Sequence, residues 1–434
     1  MRDLLVFLIV FGLLPFVFKR PHWGIYLWSW IGYMNPHRLG WSFAFYFPFA
    51  QVIGLVTLIS FFVSSKKLKF FWSPTMSWLI LFNIWILIST IFAMYPEEAW
   101  PQWEKIIKIQ LVIFLTLFAL VDREKIHIFI WIIVISIGFY GFKGGIFTLT
   151  TGGGSHVLGP RGGFIAGNTE IGLALVMILP LVWYLYLHTQ NKWLRYGLML
   201  SMFFIAVGIL GTQSRGAFLA ISAVSVFLWL KSSRKMAIFM ALLLLSPFFY
   251  MVMPQSWHDR MATIQDYEQD GSAMSRLKAW EFGYAMALDR PFTGGGFESH
   301  SVENYERYVP HQIEQGVATF HDYHSIYFEI LAEHGFVGLF IFLMLFVQYW
   351  RTANKIITIS KNTDQNKWAL DLAAMLQVSF IGYAVGGAFL GLAYFDLFYH
   401  YLAILVMTLK ILEEKNSPVP LTIPAAKKHE AHVY

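Results

Sequence analysis

The chain has 434 residues, 57% of them apolar and 13% charged, with a formal net charge of +6 and a mean hydropathy of +0.55. An ordinary soluble domain, with about 25% charged residues, is excluded by that balance. The absence of cysteine rules out disulfide frameworks, thiolate metal sites and cysteine nucleophiles, and so modest a charge fits membrane topology signals better than nucleic-acid binding.

Read from the amino terminus, the chain is a succession of apolar runs to be judged against the roughly 17 to 25 residues that cross a bilayer as a helix. Two shorter pieces come first, 3 to 18 and 22 to 34, interrupted by Lys19, Arg20 and Pro21; they read either as two short spans or as a re-entrant hairpin. No small-residue cleavage site follows, so this is not read as a secretory signal. Spans are then expected over 43–63, 72–94, 104–121, 126–147, 169–189, 194–211, 214–230, 235–253, 335–351, 369–390 and 393–412. The expected fold is an all-α polytopic membrane protein of 12 or 13 transmembrane helices. It divides into transmembrane helices with short loops over 1–253, one large and mainly helical loop over 254–334, further transmembrane helices over 335–412, and a polar tail over 413–434.

Lys and Arg accumulate on the cytoplasmic side of short loops. One set of connections carries Lys66, Lys67 and Lys69, then Arg123 and Lys125, Lys192 and Arg195, Lys231, Arg234 and Lys235, then Arg351, Lys355, Lys361 and Lys367, with Lys427 and Lys428 in the tail. The alternate set faces the periplasm or cell exterior: 35–42, 95–103, the Gly-rich 148–168 loop, the 211–215 junction and the long 254–334 segment. The tail after Glu413 lacks apolar periodicity and is expected to be disordered.

Within 254–334, a helix is expected from about 272 to 289. The turn Arg290-Pro291-Phe292-Thr293-Gly294-Gly295-Gly296 follows, and a second helix opens near Asp322. The three glycines permit a tight reversal; with no Gly-Lys-Ser/Thr after them they are no P-loop, and a structural turn is the favoured reading. Asp266, Glu268 and Asp270 alternate with Gln265 and Gln269 and read as a solvated turn.

Four stretches in order resemble a known family. They are Gly211-Thr212-Gln213-Ser214-Arg215-Gly216-Ala217; Ser275-Arg276-Leu277 with Trp280; Asp289 to Phe297; and His324-Ser325-Ile326-Tyr327 leading to Leu331 to Gly338. Together they are similar to the O-antigen ligase and O-antigen polymerase superfamily, the likeness covering roughly 160 to 345. Ser325 stands where that family often has Asn. The aromatic amino-terminal third, with Trp28, Trp30, Asn35-Pro36-His37-Arg38 and Trp41, is further similar to an O-glycosylation ligase subgroup. The resemblance implies a GT-C-like, inverting and metal-independent glycosyltransferase of the bacterial inner membrane with its site facing the periplasm. Its donor would be an undecaprenyl-diphosphate-linked glycan and its acceptor lipid A-core, with no cofactor.

That chemistry needs charge neutralisation on the leaving diphosphate and a base for the acceptor hydroxyl. Arg215, Arg161 and Arg276 all fall on the outward side, and a guanidinium fork suits phosphate, although any one of them alone reads equally well as an interfacial anchor. His324 is the expected general base, since a neutral imidazole is available near pH 7. It is expected just inside a helix start capped by Asp322, where the helix dipole disfavours the imidazolium. His321 is the rival, with a binding role otherwise. Glu329 and Glu333 are read as structural. No Asp-x-Asp pair is present, so no metal site is expected. The alternatives are an O-antigen polymerase, a protein O-oligosaccharyltransferase and, in another class, a lipid-linked glycan transporter, which would be expected to show internal repeats.

Overall fold

The computed structural model describes residues 2–40, 42–63, 71–231, 235–262, 271–314 and 322–416. Among these there are seventeen α-helices and no strand. The first ten are α1 (Arg2–Lys19), α2 (His22–Met34), α3 (Phe49–Val63), α4 (Pro74–Ile91), α5 (Pro96–Ala119), α6 (Arg123–Thr150), α7 (Asn168–His188), α8 (Lys192–Gly211), α9 (Arg215–Lys231) and α10 (Lys235–Val252). The segment after them holds α11 (Gln255–Ala262), α12 (Gly271–Asp289), α13 (Val302–Tyr308) and α14 (Pro310–Glu314). The chain then re-enters the bundle with α15 (Ile326–Ser360), α16 (Lys367–Gly386) and α17 (Asp396–Asn416).

Each expected apolar run is a helix. Six segments are long and apolar enough to cross a membrane among the described residues: Pro74–Ile91, Arg123–Thr150, Asn168–His188, Lys192–Gly211, Ile326–Ser360 and Asp364–Phe389. The run expected over 43–63 is shorter, because residues 43–45 form a separate 3-10 turn before α3. Arg351 and Lys355, expected in a loop, lie within α15, which continues to Ser360. Lys66, Lys67, Lys69, Arg234, Trp41, the Asp266-Glu268-Asp270 stretch, Lys427 and Lys428 lie outside the described residues.

Connections alternate between the two ends of the bundle. At one end Arg123 lies over the Trp368 ring, His188 Nε2 is 3.0 Å from Asp371, and Lys415 Nζ donates to Gln365 at 2.9 Å. At the other end Gln213 Nε2 donates to Gly153 O at 2.7 Å and Met94 N–H to Gly295 O at 2.8 Å. Among the described residues, the basic connections around Arg123, His188 and Gln365 share one end, and the Gly-rich loops share the other. Helices α6 and α8 approach so closely that a Cβ on Gly208 would lie 2.6 Å from Gly141 O. Close backbone approach through small residues is how apolar helices associate where lipid offers no hydrophobic gain.

The 254–334 segment has a small core of its own. Phe282 and Met286 of α12 pack with Tyr305, Val309, Tyr323 and Ala332, all buried. The Phe282 ring stacks on Tyr305 at 4.0 Å and on Tyr323 at 6.0 Å. This aromatic stack ties α12 and α13 to the entry of α15.

Candidate active site

The Gly294–Gly296 turn is the fixed point around which the site is built. Gly295 and Gly296 donate their N–H groups to Ala332 O (2.8 Å) and Glu333 O (2.9 Å), and Phe336 N–H donates to Pro291 O at 2.8 Å. Arg290 Nε binds Gly294 O at 2.6 Å, and its guanidinium also reaches Phe92 O. Opposite the turn, α15 breaks at Gly335, whose φ of 69° and ψ of −174° belong to a region that essentially only glycine occupies. Carbonyls and amides freed by the break are satisfied by the glycine turn. The turn is thus structural, as read from the sequence.

Behind it lies a closed polar chain. The Tyr394 hydroxyl donates to Glu333 Oε2 at 2.5 Å, so it accepts from His334 Nε2 at 2.6 Å, leaving Nδ1 to meet Ser89 Oγ at 2.6 Å. Trp85 Nε1 donates to His334 O at 3.0 Å. All four linked side chains are buried, and His334 is fully so. Glu329 Oε2 accepts Ala393 N–H at 3.0 Å. Glu329 and Glu333 thus tie α15 to residues 393 and 394, just before α17.

His324 occupies a different setting. It precedes α15 instead of lying inside it: the helix begins at Ile326 with Ser325 in the cap position, and the Ser325 hydroxyl makes no capping bond. Asp322 does not cap α15; its Oδ1 accepts the adjacent Tyr323 N–H at 2.7 Å. The placement inside the first turn fails because the chain needs a sharp reversal there, and His324 supplies it with φ +47°. A left-handed non-glycine residue costs on the order of 1–3 kcal/mol and is kept where neighbours over-determine it. Those neighbours are identifiable. Tyr323 is fully buried, its carbonyl accepting Trp280 Nε1 at 2.9 Å and its hydroxyl bonded to Ser299 Oγ at 2.9 Å, and Ile326 packs on Gly387. Burial, with the Glu333 charge adding to it, pushes the Tyr323 hydroxyl well above its ordinary value, so it stays neutral. The His324 side chain itself is half-buried.

The cations gather unevenly. Arg215 is the first residue of α9, held there by Gln213 (φ +52°) and by the Ser214 hydroxyl, which accepts Ala217 N–H at 3.2 Å. A Cβ on the following Gly216 would lie 3.3 Å from Phe389 Cβ and 3.8 Å from Thr169 Cγ2. Gly216, next to Arg215, and Ile326, two residues after His324, therefore pack on the same 387–389 turn. Arg276, on α12, acts electrostatically on Glu170 at the start of α7, as does Asp322. The amino termini of α9 and α15 thus border one turn, Asn168 Nδ2 at the start of α7 donates to Thr212 O at 2.9 Å, and helix amino termini favour anions. Arg161 stands apart. It is exposed in the 151–167 loop, where the neighbouring Gly162 packs on the Arg38 guanidinium. His321 lies outside the described residues.

Two participants escaped sequence reading, Glu170 and Lys105, and Asp322 was read there only as a cap. Arg276 and Asp322 act electrostatically on Glu170, Asp322 also acts on Glu329, and Lys105 lies over the Phe164 ring at 4.8 Å within electrostatic reach of Glu298 and Glu329. Lys105 is four residues before Ile109 in a helix whose apolar stripe hides it; only long-range packing brings it here. Among the described residues, no three His, Asp or Glu side chains are arranged to hold a metal ion.

Residues 200–343 match the family described as O-antigen ligase, and residues 1–191 match a family of unknown function. A search of curated proteins finds no match. The first match spans Arg215, Arg276 and His324, and supports ligase- or polymerase-type glycosyl transfer in a multi-pass membrane protein.

Proposed function

We propose that this chain, whose residues 200–343 belong to the O-antigen ligase superfamily, transfers O-polysaccharide from undecaprenyl diphosphate to lipid A-core with inversion. Its frame would be about 12 spans of the bacterial inner membrane, organised as 1–253, 254–334, 335–412 and a cytoplasmic tail over 413–434, with the Gly-rich end in the periplasm. The observation that supports this reading is that His324, held at positive φ, and Arg215, the first residue of α9, each lie within two residues of a packing contact on the 387–389 turn, while Arg276 acts electrostatically on Glu170 at the start of α7.

In this mechanism the donor diphosphate lies against Arg215 and Arg276, and its growing negative charge is stabilised by the guanidinium forks and by the amino-terminal dipoles. Arg161, set apart in its exposed loop, contacts the glycan side of the donor. His324 removes the acceptor proton as the hydroxyl attacks the anomeric carbon, and the proton remains on the imidazole while the diphosphate leaves. The reaction is metal-independent, since arginine charge takes the place of a divalent ion.

The same parts serve an O-antigen polymerase or a protein O-oligosaccharyltransferase with another acceptor. The test is to incubate the purified protein with polyprenyl-diphosphate glycan and either lipid A-core or a pilin-like protein. Glycosylation of lipid A-core, undiminished by chelator, is the expected result; glycosylation of the protein acceptor alone would reassign the acceptor, and no transfer to either would defeat the reading.

A further inference from the structure

A second feature lies along the amino-terminal half of α6, towards the basic end of the bundle and away from the Gly-rich end. It is a cleft of about 1130 Å³ between α1, α2 and α6. The cleft runs along α2 between α1 and α6, and its mouth lies where α1 ends and α2 and α6 begin. Its walls are apolar: Ile9, Leu13, Leu27, Trp30, Ile132 and Ile135. Ile135 is 57% exposed, so the wall is open rather than filled by the protein's own side chains.

Its mouth is polar and carries Lys19, Arg20, His22, Asp122, Glu124 and Lys125. Lys125 is paired with Asp122. Lys19 and Arg20 make no ion pair or side-chain hydrogen bond among the described residues, and against them stands one carboxylate without an ion pair, Glu124. From Lys125 to Ser136 the cleft follows α6 for about 16 Å. At that deep end the Ser136 hydroxyl, fully buried, has no partner. A water, and not a hydrocarbon chain, satisfies such a group. An elongated apolar trough, set in a helix apolar enough to span a membrane and closed at one end by surplus positive charge, suits an amphiphile with an anionic head.

We propose that this cleft binds an anionic phospholipid, its phosphate held by Lys19 and Arg20 and an acyl chain lying along α2 and α6. The site falls wholly within residues matched only by the family of unknown function and carboxyl-terminal helix positions Lys410 and Glu414 at its rim, and it goes beyond the proposed transfer. It gives the amino-terminal segment a binding task separate from that chemistry.

The test uses the full-length protein, delipidated in detergent and re-exposed to phosphatidylglycerol or phosphatidylcholine, with retained lipid counted by native mass spectrometry. Wild type is expected to retain phosphatidylglycerol about 10-fold or more in preference, as two surface cations at roughly 1 kcal/mol each allow. Lys19→Gln with Arg20→Gln should abolish that preference, while Ile132→Trp, which fills the trough and leaves the charges, should lower retention of both lipids. Equal retention of the two lipids by wild type overturns the proposal, as does an unchanged preference in the double variant. If the double variant does not elute as a folded monodisperse protein, the wild-type preference and Ile132→Trp decide. None of these readouts depends on glycan transfer.

Discussion

His324 and His334 stand on either side of the same helix entry and are built in opposite ways. His334 is fully buried, with both ring nitrogens bonded and the Gly294–Gly296 turn locked across the break at Gly335. His324 is half-buried, on a left-handed backbone, between neighbours that are themselves pinned: Tyr323 through Trp280 and Ser299, and Ile326 against Gly387. A saturated polar network rigidifies but offers no reactive group; a strained residue between two anchors offers one in a defined place. The first region therefore serves as the frame for the second.

The largest expected effect breaks the frame. His334→Ala removes two buried hydrogen bonds, leaving Ser89 only Ile86 O and Tyr394 only Glu333, and opens a cavity, for a loss of about 3–5 kcal/mol; thermal melting of the purified protein should fall steeply, with little folded protein recovered. A mild shift in melting would mean that the network is not the frame. Breaking the other side should be a loss of chemistry alone. His324→Ala is expected to slow transfer roughly 100-fold, about 2.7 kcal/mol of barrier, with melting unchanged or slightly raised and donor binding retained. Near-normal turnover in this variant, with loss in His321→Ala, would move the base to His321.

Arg215→Lys should be milder, because charge survives while the two-pronged geometry is lost. About a 10-fold drop in transfer, partly recovered at high donor concentration, is the expected result in steady-state kinetics. The smallest effect is away from both histidines and sharpens the contrast by showing a third. Burial, with Arg38 beside it, pushes His37 down to about 4. Because that value is below the ordinary 6.5, the unfolded chain binds more protons between the two, so stability is complete above 6.5 and declines as pH falls towards 4. On the order of 1 kcal/mol should be lost between pH 6.5 and 5. Melting against pH should show this slope, and His37→Phe should flatten it.

Much of the helical frame was legible because each run must satisfy its backbone internally, which leaves a mark about 20 residues long in the sequence. Within the 254–334 segment, α12 appeared where expected, within one residue at its start. The alternation of basic connections likewise predicted which loops share an end, since topology signals are local. The position of His324 was misread because a capping pattern cannot reveal that Tyr323 and Ile326 are pinned from outside the segment.

What the sequence by itself determined, then, is the solvent, the helices, the glycine turn and the residue types that suit a diphosphate. These follow from hydropathy, span length and motif spacing, all of them properties of neighbouring residues. Only the tertiary structure decided that the starts of α9 and α15 border one turn, that Arg276 acts on Glu170 while Arg161 is exposed in its loop, and that a cleft opens along α2 beside α6. Those outcomes depend on which helices pack together and at what height, and packing among apolar helices is selected by shape and small residues across long separations, where the local pattern carries no record.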